Sequence, residues 1–409
     1  MRARARSTQR ATAPSGTITG RLARRLGASL STLGLLALTS PFLHAQSPSL
    51  AAPTRLTFSH LLPPDGLPSV QLRRILRDRQ GFMWFATNEG LIRYDSHEFR
   101  AFTHDPANPR SLSGSTIWDV VEDAAGNLWV GSDGGLDLWR RETEDVERLT
   151  TGADGGSRLP TPFVRRILLE ENRGAWVATF GGGLCWFDLK TRRVESYRAG
   201  AGTPGALPDD YLLDLFRDSR GTIWVGTQSR GIAAFDPATR RFRVYRHDAA
   251  DPRSLAGDRV SAIGEDADGG VWVGTTGGAS RLAPDRSGFE SFRFAAGDAG
   301  ALQGQKIDVI ARDRDGSMWF GTDGGGLSRF DPATRTFASF RFVRGDPTTL
   351  ASNAVLAIYQ DPNGDYWVGH WPWGVSYANR LNATIRMVRT IPGLAGTCLL
   401  YTSPSPRDS

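Results

Sequence analysis

Seven tryptophans stand on one beat along this chain: Trp84, Trp129, Trp176, Trp224, Trp272, Trp319 and Trp367, spaced 45, 47, 48, 48, 47 and 48 residues apart. The same wording returns around each, as in Asp218-Ser-Arg-Gly221-Thr-Ile-Trp224-Val-Gly-Thr227 and Asp313-Arg-Asp-Gly316-Ser-Met-Trp319-Phe-Gly-Thr322. A fixed period of this length means that one supersecondary unit is built repeatedly. The 409 residues, which would otherwise suggest two or three domains, are therefore one array.

Each unit divides into four extended runs. A first run such as Val70–Leu76 or Val260–Ile263 leads to an Asp-x-x-Gly turn, and the second run carries the Trp. The third follows a Gly-rich turn, as in Gly326–Phe330, and the fourth has the form Phe-x-x-aromatic, as in Phe242–Tyr245 and Phe337–Phe340. About 12 residues per strand and turn is the spacing of all-β folds. HEAT and armadillo repeats have a similar period, but two Gly-bearing turns per unit and β-branched or aromatic alternation exclude paired helices.

Small sheets with two apolar faces are stable when stacked radially, so the expected fold is all-β, a seven-bladed β-propeller of four-stranded antiparallel blades. The seven repeated tryptophans are expected between neighbouring blades. The segment from Leu56 to Ser59 is placed to add an outer strand to the last blade and close the ring. In the third copy, Glu170-Glu-Asn-Arg-Gly174, the Gly stands one residue nearer its Trp, and a bulge is expected to restore register there.

Net charge is +6, yet residues 1–45 hold seven Arg and no acidic residue, so the remainder carries 6 − 7 = −1 and nucleic acid is not an expected partner. Arg21, Arg24 and Arg25, the apolar stretch Leu26 to Leu43, and Ala45 before Gln46 read as an export signal, with an uncleaved membrane anchor as the competing reading. The expected organisation is 1–45 signal, 46–57 linker, 58–397 seven-repeat propeller and 398–409 a non-native tail. Two cysteines, Cys185 and Cys398, provide no disulfide framework.

The phrase kept best from Ile310 to Asp331 and Phe340 resembles the two-component regulator propeller repeat, and the resemblance covers about 58–391. It implies the extracytoplasmic, ligand-sensing region of a dimeric receptor anchored in the inner membrane. It also implies that this chain is an N-terminal fragment, which a second propeller, a β-sandwich, a membrane helix and a histidine kinase or diguanylate cyclase would follow. The ligand class it implies is carbohydrate. The last residues, Cys398 to Ser409, resemble translated adapter sequence. The rivals are an exported propeller lyase or glycoside hydrolase and a protein-interaction scaffold.

No cofactor, metal or catalytic residue is expected. Gly181-Gly-Gly183 and Gly324-Gly-Gly326 lack the Lys-Ser/Thr of a phosphate loop. Asp266-Ala-Asp268-Gly269 and Asp313-Arg-Asp315-Gly316 coincide with the hairpin turn and lack the twelfth-position Glu of a calcium loop. Residues repeated in every copy serve the scaffold, so departures are the place to look for binding. The seventh copy reads Gly369-His370-Trp371-Pro372-Trp373-Gly374, and His370, Trp371 and Trp373 are the candidate ligand-binding residues, with packing as their competing role. Trp118, Trp139 and Trp186, and the turn residues Glu89, Asp133 and Asp323, are expected to pack or to cap turns.

Overall fold

The computed structural model describes residues 56–62, 67, 71–149, 159–200, 202–372 and 374–379, and no helix occurs among them. The 1–45 leader, Trp373 and the 398–409 tail lie outside the described residues. The described residues form 28 strands in seven four-stranded antiparallel sheets, the seven-bladed propeller expected from the repeats. Blades 1 to 7 begin with the innermost strands Leu72–Arg77, Ile117–Glu122, Val164–Glu170, Leu212–Arg217, Val260–Glu265, Ile307–Arg312 and Ala354–Gln360. Each of these touches its two neighbours, and the first meets the last, so the circle is closed.

Closure is made by backbone hydrogen bonding between the two ends of the array. Strand Ser59–Leu61 pairs with Val375–Ala378 in the register Ser59↔Tyr377 and Leu61↔Val375, becoming the outer strand of blade 7. Phe58, next to it, is buried in the same cluster as Trp319 and Val368.

The second strand of a blade, such as Ile223–Thr227 or Val271–Thr275, is buried along its whole length because neighbouring blades cover both faces. Its Trp is the main inter-blade contact. Trp84 packs with Ile117, Val120, Leu128 and Trp139 of blade 2, and Trp224 with Val260, Ile263 and Val271 of blade 5. The glycine two residues on has a packing reason: a Cβ on Gly321 would lie 2.6 Å from Val355 Cγ1, so the next blade could not approach.

The Asp-x-x-Gly turn holds this Trp in place. One oxygen of Asp218 accepts the amides of Arg220 and Thr222 at 3.0 and 2.8 Å; the other accepts the Trp224 indole N–H at 2.8 Å. Asp78 and Trp84, Asp266 and Trp272, and Asp313 and Trp319 repeat the bond at 2.8, 2.8 and 3.0 Å. The expected bulge at the third turn is absent. Glu170 stands at the same six-residue distance and takes the Trp176 indole at 2.9 Å, the ladder runs on to Glu170↔Gly174, and Asn172 adopts the left-handed φ of 58°. In blade 7 the indole N–H of Trp367 has no partner, and Arg77 takes Asp361 at 3.0 Å.

Candidate functional site

Every innermost strand slips register once near its start, and the residue skipped is Arg73, Trp118, Arg165, Leu213, Ser261, Asp308 or Leu356 in blades 1 to 7. A bulge leaves one residue unpaired and re-aims its side chain. Repeated seven times around a closed ring, it directs seven side chains to one constriction of about 90 Å³ on the axis. The constriction opens on one side into a mouth of about 480 Å³, to which Phe180, Gln228, Arg259, Lys306 and Trp371 also contribute. On the other side Arg74, Asp119, Arg166 and Asp214 line a wider cavity of about 900 Å³.

The residues just after the bulges form a balanced second ring. Arg74 pairs with Asp119 at 3.2 Å and Arg166 with Asp214 at 2.7 Å. Asp119 also accepts the Ile167 amide at 2.9 Å and Asp214 the Ile263 amide at 2.7 Å, so each carboxylate ties its blade to the next. Burial opposes the charge of Arg166, but Asp214 and Asp119 outweigh it and hold the guanidinium above its ordinary range.

The bulge ring itself is not balanced. Lys306 bridges Asp308 at 3.1 Å and Asp323 at 3.0 Å, a trio that carries one negative charge against the three arginines. Among the described residues no carboxylate pairs with Arg73, Arg165 or Arg259; Arg73 donates to Gln71 at 2.9 Å and Arg259 to Gln228. The Trp118 indole lies between two guanidiniums, with the carbons of Arg73 and Arg165 at 3.6 and 3.5 Å from its ring centroid. Burial, then the charge of Arg166, lowers Arg73 to about 10; burial, then Arg166 and Arg73, lowers Arg165 to about 9. Both remain cationic at neutral pH. Among the described residues the buried Arg73 Nε–H and Trp118 Nε1–H have no acceptor, and the buried Asp308 Oδ2 accepts no hydrogen bond.

The candidate residues of the seventh copy are separated by this geometry. His370 is fully buried at the position that Thr, or Ser132 in blade 2, holds in other blades, bonded through Nε2 to Ser376 Oγ at 2.7 Å, and burial pushes it down to about 3. It therefore stays neutral and lines none of the cavities described. Trp371, the next residue on the strand, points the other way: it is 49% exposed and reaches the mouth. Trp139 and Trp186 pack beside the repeated Trp84 and Trp176, at 4.9 and 5.1 Å between ring centroids, and Asp133 accepts the Thr116 amide at 3.1 Å. Trp118 packs between Arg73 and Arg165 and lines the constriction.

Aligned first runs carry the signal that sequence reading passed over. Leu72-Arg-Arg-Ile75, Ile117-Trp-Asp-Val120, Val164-Arg-Arg-Ile167, Leu212-Leu-Asp-Leu215 and Ile307-Asp-Val-Ile310 keep their outer aliphatics and vary the two residues between.

No imidazole lines the mouth, and its two acids share one lysine. Among the described residues no group of three or more His, Cys, Asp or Glu could hold a metal. Asp266, the start of a calcium-like string, spends its oxygens on the Gly270 amide, Trp272 and Arg281.

Comparison with known families gives matches to the two component regulator propeller at residues 66–89, 111–134, 206–229, 254–277, 301–324 and 349–371, six of the seven blades. The chain is a two component regulator propeller. Blade 3, the unmatched copy, is the one whose turn carries Glu170 and a displaced Gly. Among solved structures, this propeller is similar to the extracellular domain of the putative hybrid two component system BT3049 from B. thetaiotaomicron. The TM-score is 0.68 at 22% identity, over 79% of this chain and 42% of that one. The extracellular domain of BT4673, from the same organism, gives 0.64 at 21% over 79% and 40%. A streptogramin B lyase gives 0.56 at 15% over 80% and 97%. The propeller thus spans about two fifths of the first two chains, and at these identities the likeness shows the fold. No curated protein matches the sequence.

Proposed function

We propose that this propeller is the non-catalytic, ligand-sensing extracytoplasmic region of a transmembrane signalling receptor, whose output is a histidine kinase or diguanylate cyclase. The observation that carries the reading is the channel mouth. There the non-repeating side chains of all seven blades converge on one cavity, with cationic and aromatic groups and no free acid–base pair. Family membership supports a sensor role. A ligand in the mouth would touch bulge residues from several blades at once and bias the ring between arrangements that a receptor dimer reads. Carbohydrate is the ligand class proposed, with the half-exposed indole of Trp371 as the stacking face.

The test is a thermal-shift and calorimetric screen of the purified chain against mono- and oligosaccharides, with the recovered ligand checked by mass spectrometry. Saturable binding with the ligand recovered intact is expected. Turnover of any bound sugar would move the assignment to an enzyme, and binding confined to protein partners would move it to a scaffold.

A further inference from the structure

We propose that the channel mouth is an oxyanion site. Arg73, Arg165 and Arg259 take a carboxylate or sulfate group of a small ligand, and the ligand's body rests on Phe180 and Trp371. The inference rests on the mouth being the ligand site, and names the chemistry that site selects.

The contrast between the two rings carries it. Immediately beyond the constriction each arginine has its aspartate, Arg74 with Asp119 and Arg166 with Asp214. At the bulges, one residue earlier on the same strands, Arg73 and Arg165 have none; Arg259, just before the first strand of blade 5, donates to the Gln228 amide and feels the charge of Asp308 without bonding to it. A fold that compensates its charges so closely in one layer leaves an excess of two positive charges in the next, where Arg73, Arg165, Arg259 and Lys306 face only Asp308 and Asp323. Arg73 and Arg165 are moreover held close to one another by sharing the two faces of Trp118. Like charges crowded together in a half-buried site are unfavourable unless something opposite joins them.

The unmet groups have a direction as well. Of the three buried polar atoms at the constriction without a hydrogen bond, Arg73 Nε and Trp118 Nε1 are donors, and the third, Asp308 Oδ2, already faces Lys306 at 3.1 Å, so what the arginine side of the constriction lacks is an acceptor. A planar guanidinium presents its donors as a fork that matches a carboxylate or sulfate. The mouth, at about 480 Å³, accommodates a ring-sized body beyond the charged group, and Phe180 and the half-exposed Trp371 flank it. Lys306 is satisfied by Asp308 and Asp323 and sits outside the proposed contact set.

The experiment is a matched set of probes against the full chain by isothermal titration calorimetry: galactose, galacturonate, galactose 6-sulfate and inorganic sulfate. Galacturonate, galactose 6-sulfate or both are expected to bind at least about 10-fold more tightly than galactose, and the better of the two tells carboxylate from sulfate. Arg165→Gln and Arg73→Gln should each weaken that anion by roughly 10- to 100-fold, the range of a buried charged hydrogen bond. Arg220→Gln, on an exposed turn, should leave it unchanged. Melting temperature separates misfolding from lost binding. Arg259→Gln, away from the stacked indole, is the second variant should either stacked arginine prove necessary for folding. Equal binding of galactose, no anion binding at millimolar concentration, or anion binding untouched by all three Gln variants would each overturn the site. Neutral sugar binding without anion preference sinks the oxyanion chemistry and spares the sensor reading. Conversion of a bound probe to product does the reverse.

Discussion

Replacing Trp224 by Phe tests whether the turn carboxylate and the indole act as one unit, and blade 7 supplies an internal control. Trp224 is fully buried and donates to Asp218, whose side chain has no accessible surface. Trp367 occupies the equivalent position without any partner on Nε1. Trimming indole to phenyl removes on the order of 50 Å² of apolar contact, about 1 kcal/mol at either site, and less at the half-buried Trp367. At Trp224 the change also deletes a hydrogen bond to a buried charge, about 1.5–3 kcal/mol. The Arg286 contact at 2.6 Å, which still partners Asp218, favours the lower end. Trp224→Phe should therefore cost about 2.5–4 kcal/mol and Trp367→Phe about 1 kcal/mol or less, read from urea midpoints at pH 7. The excess has a pH signature. Burial alone would raise the Asp218 carboxyl, but the bonds from Trp224 and Arg286 outweigh it and hold it below the ordinary carboxylate range. A lowered folded pKa stabilises above the unfolded value near 3.9 and is lost as pH falls through the folded one, so the difference between the variants should be full at neutral pH and shrink in acid. Equal losses at pH 7, or an excess that persists unchanged in acid, would refute the coupling.

Gly321→Ala should cost about 1–3 kcal/mol by overpacking, since the added methyl would meet Val309 and Val355 Cγ1 at 2.5 and 2.6 Å; an unchanged urea midpoint would mean the blades can part cheaply. Phe58→Ala should cost about 3–5 kcal/mol and speed proteolysis near Ser59–Leu61, because Phe58 anchors the closing strand in the cluster around Trp319; limited digestion followed by mass spectrometry locates the opening. Burial raises Asp137 to about 6 despite two bonds from Ser113. A raised folded pKa stabilises below the unfolded value near 3.9 and is lost as pH rises through 6, so Asp137→Asn should be the more stable protein at pH 7, by about 2–3 kcal/mol, and about equal at pH 4. Parallel stability curves for the two proteins between pH 4 and pH 7 would contradict that account.

Much of this fold was legible because repetition exposes the constraints that packing imposes. The Trp beat, the Asp-x-x-Gly turn and the spare strand at the start each correspond to an observed element: the inter-blade indole, the hairpin and the Ser59↔Tyr377 pairing. What stayed hidden was the partnership between two of these signs. Asp and Trp six residues apart were each readable as local devices, a turn cap and a core residue. Only the fold of the hairpin brings the second carboxylate oxygen onto the indole N–H. The third copy shows that this partnership, and not the turn alone, sets the spacing. Its glycine has moved by one residue, while Glu170 and Trp176 keep their distance and their bond.

The site was less legible for a physical reason. A bulge changes which way a residue points without changing its type, so Arg73 and Arg74, or Trp118 and Asp119, read in sequence as ordinary alternation along a half-buried strand. In the folded ring the first member of each pair reaches the constriction and the second faces the ion-paired layer behind it. The principle that departures from the repeat mark function led to His370 and Trp371, where a whole phrase changes. The same principle applied to single columns leads to the bulges. His370 shows why the scale of the departure misleads: it replaces a Thr that bonds inside the blade, and it is buried and bonded to Ser376 as that Thr would be to its own turn. A substitution at an inward position is absorbed by the scaffold however unlike its predecessor it is. One at a bulge is not absorbed, because seven blades direct that position into shared space. Ligand selectivity among propellers of this family should therefore follow the residue after the first aliphatic of each unit, and exchanging Arg73, Trp118 and Arg165 for the small or apolar residues of blades 4, 5 and 7 should remove anion binding while leaving the blades' mutual packing intact.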